Sequence, residues 1–203
     1  DEAFLDVGGS RRLFGDAVTI GRQIRKAVRE ELQLPASAGA ATNKFLAKLG
    51  SELAKPDGLM AMPAEREEVL KFLAPLPVER LWGVGKVLKA QLSQHGYRTI
   101  GDLQQARRAE FENRIGRHVA THLLQLAFGE DPREVVTEHV DLSISREHTF
   151  EVDCRDPDLL RRTVRDLADE VGRRLRQDGR YAAVGRIKLR WQDCRTITRQ
   201  TPI

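Results

Sequence analysis

The sequence predicts an α+β protein of more than one domain, because three stretches of the chain differ in their pattern. Residues 1–62 alternate short apolar segments with two amphipathic helices, a pattern that predicts a β-α-β-α-β unit. Residues 63–136 read as short helices broken by Gly and Pro. Residues 143–203 read as a strand, a helix and a strand pair, and the polar segment 137–142 is the predicted linker. A chain of 203 residues has room for three small domains.

The first predicted strand begins with two acidic residues, Asp1 and Glu2, followed by the β-favouring residues Phe4, Leu5 and Val7. Carboxylate oxygens are the ligands that Mg²⁺ prefers, and an acidic pair at the start of a strand can converge on one cation. Two acids at the start of a chain are also commonly just solvated, so the pair alone is a weak signal.

The helix that follows Asp16 carries a regular apolar face, made of Ile20, Ile24, Ala27, Val28 and Leu32. Its other face is basic (Arg22, Arg25, Lys26 and Arg29), and the simplest interpretation is a solvated surface. Pro35 ends this region, and residues 36–41 read as a buried strand of small residues.

The second helix is predicted to place three lysines, Lys44, Lys48 and Lys55, on one face and to bury another face made of Phe45, Leu46, Leu49 and Leu53. They extend over about 16 Å of helix axis, which is too far for one phosphate and suitable for several. A solvated face is the alternative. The turn at 56–58 and a short strand at 59–62 follow.

A two-glycine turn joins two short helices in the middle third of the chain. Gly83 and Gly85 lack Cβ atoms and let backbone N–H groups approach a phosphate oxygen, with Val84 between them. The helix that starts at Lys86 directs its positive dipole end at the same point, and Lys86 and Lys89 add charge. The pattern resembles a helix-hairpin-helix motif, which binds the DNA backbone without reading sequence. A packing turn that needs glycine for steric reasons is the alternative, and we favour that alternative for the later turn at 114–117.

The last third predicts a cationic sheet surface. Period-two geometry sends Arg186, Lys188 and Arg190 to one face of a strand and Ile187, Leu189 and Trp191 to the other. We expect the apolar face to pack on a helix that starts at Pro157 after an Asp156 N-cap. Arg195 and Arg199 are expected to extend the cationic face, as is Arg146 on the predicted strand 143–150.

The overall charge excludes little, but its distribution is informative. The net charge is +4, whereas residues 173–203 carry nine basic and two acidic residues, an electrostatic pattern expected for phosphate backbones. Two cysteines without CxxC spacing favour reduced thiols in the cytoplasm. No apolar run reaches about 18 residues, so we expect no membrane role.

The order of these segments is similar to that in Y-family translesion DNA polymerases, and most similar to the DNA polymerase IV branch. The resemblance covers nearly the whole chain and is carried by seven segments: DEAFLDV, SAGAATNKFLAK, AKPDG, PLPVERLWGVGK, HGYRTIGDL, SISREHTF and RIKLRWQDCRTITR. It implies that 1–62 is the second half of the palm. It also implies that 63–136 is an all-helical thumb and that 143–203 is an incomplete βαββ little finger domain.

The resemblance implies metal-dependent transfer of a nucleotide from a dNTP to a primer 3′-hydroxyl. Asp1 and Glu2 would be two of three carboxylates that hold two Mg²⁺ ions, and Lys55 would contact the triphosphate. Primer-template DNA would bind the hairpin, the basic strand and Lys48. The resemblance also implies a sliding clamp as a possible partner, bound by regions outside this chain. The implied location is the bacterial cytoplasm, at the nucleoid.

Two parts of the family pattern are absent from this sequence, the third carboxylate and the fingers, both of which belong upstream of Asp1. We therefore expect an internal fragment of a longer polymerase, inactive on its own. The alternatives are a non-catalytic DNA-binding accessory relative of the same fold and a protein-interaction scaffold whose basic strand is only solvated.

Overall fold

The computed structural model describes residues 2–137 and 141–203, and it confirms a mixed helix and strand architecture. The chain divides into two compact units, Asp1–Thr137 and Glu138–Ile203. Asp1 and residues 138–140 lie outside the described residues, so the first acidic residue and most of the predicted linker do too.

The first unit contains two strands and eight α-helices within its described residues. The strands are β1 (Ala38–Ala40) and β2 (Leu59–Ala61), which pair in parallel with Gly39 opposite Met60. The helices are α1 (Arg11–Phe14), α2 (Ala17–Leu32), α3 (Lys44–Leu53), α4 (Arg66–Leu73), α5 (Lys86–Gln94), α6 (Ile100–Gln104), α7 (Arg108–Ile115) and α8 (Arg117–Ala127).

The parallel pair is covered by α3, and the close approach between them depends on Gly39. A Cβ at this position would lie 2.0 Å from the Ala47 carbonyl oxygen. Asn43 caps α3 by accepting a hydrogen bond from the Leu46 amide at 3.0 Å. Phe45, Leu46 and Leu49 are buried, which confirms the apolar face predicted for this helix.

One hydrophobic core joins α3 to the short helices that follow it. All the fully buried apolar side chains of the described residues lie in the first unit, and the largest include Phe45, Phe111, Leu73, Leu92 and Leu123. Thr99 and Asp102 form a capping box at the start of α6, in which each side chain accepts from a backbone N–H at the other end of the turn.

The second unit consists of α9 (Pro157–Gln177) and an antiparallel hairpin of β3 (Val184–Arg190) and β4 (Thr196–Pro202). Asp156 caps α9 and Pro157 occupies its first turn, as predicted. Ile187, Leu189 and Trp191 remain 39%, 38% and 42% exposed, so the apolar face of β3 is only partly covered. A two-stranded hairpin and one helix offer each other too little apolar surface to bury these side chains fully.

Two predicted strands do not form. Residues 3–7 and 143–150 have no strand assignment in the described part of the chain. A strand needs a neighbouring strand to satisfy its backbone N–H and C=O groups, and local β propensity does not supply one. No helix within the described residues is both long enough and apolar enough to cross a bilayer.

Candidate functional site

The described acid of the N-terminal pair, Glu2, lies against α3. Its Oε2 atom accepts a hydrogen bond from Lys48 Nζ at 2.5 Å. Lys48 Nζ also lies 3.4 Å from Glu52, one turn further along the same helix. The predicted cationic face of α3 therefore does meet the acidic segment, and its central lysine makes the contact.

This contact changes the protonation of both groups in opposite directions. The hydrogen bond and the charge of Lys48 hold the pKa of Glu2 below its ordinary value of 4.5, and Lys55 adds a smaller effect of the same sign. The hydrogen bond to Glu2 raises the pKa of Lys48 above its ordinary 10.5. Both groups are therefore charged at neutral pH.

Lys55 was predicted to lie on α3, but it lies in the turn that follows, two residues past the end of the helix. The turn is fixed by Asp57, whose carboxylate contacts Arg25 and Arg29 of α2 and accepts from the Ala36 amide at 3.3 Å. Although burial alone would raise the pKa of Asp57, these hydrogen bonds together lower it. The basic face of α2 thus anchors the turn that carries Lys55, a role that the interpretation as a solvated surface missed.

The described residues do not by themselves form a metal site. Glu2 is an ionised oxygen donor of the type that Mg²⁺ prefers, but it is a single carboxylate and is already paired with Lys48. No group of three or more His, Cys, Asp or Glu side chains suitable for a metal was found among residues 2–137 and 141–203.

The two-glycine turn precedes α5, and its glycines face open space. Gly83 has a φ of +97°, which favours glycine, whereas Gly85 has an ordinary φ and is the N-cap of α5. A Cβ added to either residue would meet no atom of the described chain within 4 Å. Leu81 and Val84 are buried beside them. Packing therefore does not require glycine at position 85. The alternative, a turn that needs glycine for steric reasons, does not explain this residue.

The two lysines of this hairpin differ in their surroundings. Lys89 forms an ion pair with Glu79, so its charge is partly compensated. Lys86, at the first position of α5, has no ion pair among the described residues. Of the two, Lys86 is the better-placed cation for an anion at the helix N-terminus.

Trp82, next to the glycines, lies in a cluster that the sequence did not reveal. Its ring stacks on Phe4 with 5.6 Å between centroids, and the Arg133 guanidinium carbon lies 4.1 Å from its ring centroid. Arg133 binds the Asp131 carboxylate through Nε at 2.6 Å and a terminal nitrogen at 2.8 Å. These contacts link residues far apart in sequence, so no local pattern predicted that Phe4, Trp82 and Arg133 would meet.

The register of the hairpin in the second unit separates the basic residues of β3 from those of β4. Arg186, Lys188 and Arg190 lie opposite Gln200, Thr198 and Thr196, which are polar and uncharged. Arg199 lies opposite Ile187 and therefore shares the apolar face, contrary to the prediction that it extends the basic one. Arg195 lies in the turn, with its guanidinium carbon 4.8 Å from the Trp191 ring centroid, which is also on that side.

Arg146 does not lie on a strand next to this basic face. Its Nε atom is 3.2 Å from a carboxylate oxygen of Glu170 on α9. The basic face of the hairpin is therefore formed by Arg186, Lys188 and Arg190, and the prediction that Arg146 sits on a neighbouring strand is wrong.

Comparisons with known proteins agree along the chain. The impB/mucB/samB family matches residues 1–52, its helix-hairpin-helix motif matches residues 66–97, and its C-terminal domain matches residues 142–203. The hairpin that contains Gly83 and Gly85 thus falls inside the matched motif.

Curated relatives of the chain are named DNA polymerase IV. DNA polymerase IV of Alkalilimnicola ehrlichii is 38% identical over 199 residues, covering 98% of this chain and 55% of that protein. DNA polymerase IV of Methanoculleus marisnigri is 41% identical over 200 residues, covering 98% of this chain and 54% of that protein. The chain spans about half the length of the curated relatives it matches.

Solved structures show the same fold. A Y-family DNA polymerase chimera matches with a TM-score of 0.75 at 23% identity, covering 98% of this chain and 56% of that one. DinB from Sulfolobus solfataricus matches with a TM-score of 0.58, also at 23% identity, over 98% of this chain and 57% of that one. The chain belongs to the impB/mucB/samB family, within the DNA polymerase IV branch of the Y-family DNA polymerases.

Proposed function

We propose that this chain is part of a DNA-directed DNA polymerase of the translesion type, which transfers a nucleotide from a dNTP to a primer 3′-hydroxyl. Its curated relatives are named DNA polymerase IV, and one matched structure is described as an insertion ternary complex of a DNA polymerase. In a bacterium such a polymerase would act in the cytoplasm, at the nucleoid that contains the chromosomal DNA.

Glu2 is the described residue that we assign to the reacting end of the site. With Asp1 and a third carboxylate outside this chain it would hold Mg²⁺, which when bound activates the primer hydroxyl and stabilises the oxygens at the reacting phosphorus. Lys55 lies close enough to lower the pKa of Glu2, and its ammonium group would neutralise charge on the triphosphate. Lys48 would keep Glu2 ionised and in place in the absence of ligand.

DNA would be held at two places, each described within its own unit. In the first unit, the open turn at Gly83 and Gly85 and the N-terminus of α5 would bind backbone phosphate. In the second unit, Arg186, Lys188 and Arg190 would do so from one face of β3. Contacts of this kind predict binding without sequence preference that weakens as salt rises.

The main support for the proposal is the contact between Glu2 and Lys48, on the lysine face of α3. The test is a chimera in which the N-terminal half of the Alkalilimnicola ehrlichii relative precedes Asp1. We expect primer extension with Mg²⁺ by the chimera and none by the 203-residue chain alone. The E2Q variant should lose extension but keep duplex binding, and K55A should raise KM for the dNTP.

Three results would contradict the proposal in different ways. A chimera that binds duplex but incorporates no nucleotide would favour the non-catalytic accessory relative. A chain that binds no duplex at low salt would favour the interaction scaffold. Extension by the 203-residue chain alone would show that residues outside this chain are not needed for the reaction.

A further inference from the structure

The cluster around Trp82 joins three segments of the first unit that are distant in sequence. Phe4 comes from the acidic N-terminal segment, Trp82 from the start of the two-glycine turn, and Arg133 from the segment that follows α8. Trp82 is half-buried, and the residue that follows it is Gly83, the first of the two open glycines. The position of the indole therefore sets the position of the loop.

Arg133, which covers the Trp82 ring, is anchored to the start of α3. Arg133 is held in a two-point contact by Asp131, whose side chain is only 1% exposed. The same Asp131 accepts a hydrogen bond from the Phe45 amide, in the first turn of α3, at 3.0 Å. Asn43, the N-cap of α3, donates to the Gly129 carbonyl at 2.8 Å. The guanidinium that covers Trp82 is thus fixed to the start of the lysine-bearing helix.

Two lysines of α3 also contact this cluster. Lys44 Nζ lies 5.2 Å from the Phe4 ring centroid, and Lys48 Nζ lies 5.8 Å from the Trp82 ring centroid. Lys48 is also the partner of Glu2. One ammonium group therefore contacts both the candidate catalytic carboxylate and the residue that begins the phosphate-binding loop.

We propose that Trp82 is a positioning residue, which fixes the two-glycine loop to α3 through Phe4 and Arg133 so that the loop binds the DNA backbone without first having to be ordered. The inference rests on the proposed duplex binding by this hairpin. A loop that is already in its bound conformation loses less conformational entropy on binding, so its affinity is higher for the same contacts. Trp82 acts through the loop and does not itself contact DNA.

The experiment measures duplex affinity by fluorescence anisotropy with a labelled 20-base-pair duplex, over a range of salt concentrations, on the 203-residue chain. The variants are W82L, W82F and F4L, with L5A as the matched control because Leu5 is next to Phe4 and is 63% exposed. Circular dichroism shows that each variant is folded under the assay conditions. We expect W82L and F4L to weaken binding about tenfold with an unchanged slope of log K against log salt. W82F should remain within about threefold of the parent because it keeps an aromatic ring on Phe4.

F4L distinguishes positioning from direct contact, because it removes the ring that supports Trp82 and leaves the indole itself in place. If W82L weakened binding while F4L bound normally, Trp82 would be a direct DNA contact and the inference would be wrong. Normal affinity in both W82L and F4L would equally overturn it, while leaving the proposed DNA binding intact. An absence of duplex binding by the parent chain would instead refute the proposed function on which the inference rests.

A second readout follows the indole itself. The chain has two tryptophans, so the W191F variant leaves Trp82 as the single reporter. Duplex should change the Trp82 emission with the same midpoint as the anisotropy titration, since the adjacent loop takes up the phosphate. In the same background F4L should shift the emission of the free protein to longer wavelength, and L5A should not. Trp82 emission that did not change when duplex bound would contradict the proposal that Trp82 fixes the loop.

Discussion

Glu2 and Lys48, 46 positions apart in sequence, form an ion pair with 2.5 Å between Oε2 and Nζ. The pair joins the acidic segment at the start of the chain to the lysine face of α3. It also places an ionised carboxylate where a cationic ligand would have to compete with an ammonium group. The pairing is therefore central to how the candidate site is held when no ligand is bound.

The first prediction concerns the protonation of Glu2. The pKa of this carboxyl is lowered mainly by its hydrogen bond with Lys48, so K48Q should raise it towards 4.5. Because the folded-state pKa is lowered, the stabilisation is present above the unfolded-state value and is lost as pH falls through the folded-state value. A carbon-13 NMR titration of the Glu2 carboxyl measures the shift. K44Q is the matched control, since Lys44 contacts Phe4 and Glu134; an equal shift in K44Q would refute the assignment to Lys48.

The second prediction tests the two-glycine turn. G85A adds a methyl group that meets no atom of the described chain within 4 Å, and Gly85 has an ordinary φ. We expect stability to change by less than about 0.5 kcal/mol. Duplex affinity should fall about tenfold, because the methyl group keeps the backbone N–H groups away from the phosphate. Anisotropy at low salt measures the affinity.

Gly9 provides the control for this substitution. It also faces open space at an ordinary φ, but it lies outside the hairpin. G9A should leave both stability and affinity unchanged. Normal duplex binding by G85A would mean that phosphate does not approach the turn at this residue.

The third prediction uses the two faces of the hairpin in the second unit. Lys188 lies on the basic face opposite Thr198, whereas Arg199 lies opposite Ile187 on the apolar face. K188Q should reduce the slope of log K against log salt by about 1, the value for one lost phosphate contact. R199Q removes the same charge from the other face and should leave the slope unchanged. Equal effects of the two substitutions would show that bulk charge, and not this face, attracts the duplex.

Local signals explain what could be predicted from the sequence. Asp156 and Pro157 marked the start of α9, and the pattern of Phe45, Leu46 and Leu49 marked the buried face of α3. The predicted strands at 3–7 and 143–150 failed because a strand depends on a partner that its own residues do not specify.

The parts of the site that escaped prediction are those fixed by distant contacts. Arg25 and Asp57 are 32 positions apart, and Phe45 and Asp131 are 86 apart. No local pattern identifies such partners. Arg199 was assigned to the wrong face for a related reason, since the length of the turn between β3 and β4 sets the register, and with it the face of every residue on β4.

The last prediction concerns the capping box at the start of α6, a helix that packs against α8. Asp102 Oδ2 accepts hydrogen bonds from the Arg98 and Thr99 amides, each at 2.8 Å. D102N should lower the free energy of unfolding at neutral pH by about 0.5–2 kcal/mol, because a neutral amide is a weaker acceptor for these N–H groups. Urea unfolding, followed by Trp82 emission in the W191F background, measures it.

The pH dependence of this difference is the decisive part of the test. The hydrogen bond from the Thr99 amide is the largest contribution that lowers the pKa of Asp102 below 3.8. The stabilisation by Asp102 is therefore complete above that ordinary value and is lost as pH falls through the lower, folded-state pKa. The difference in unfolding free energy between the parent and D102N should accordingly shrink between about pH 6 and pH 3. E31Q, at an exposed carboxylate on α2 in the same unit as Trp82, should leave the unfolding free energy unchanged at both pH values. If the difference in unfolding free energy between the parent and D102N stayed constant across this pH range, the charge of Asp102 would not stabilise the cap.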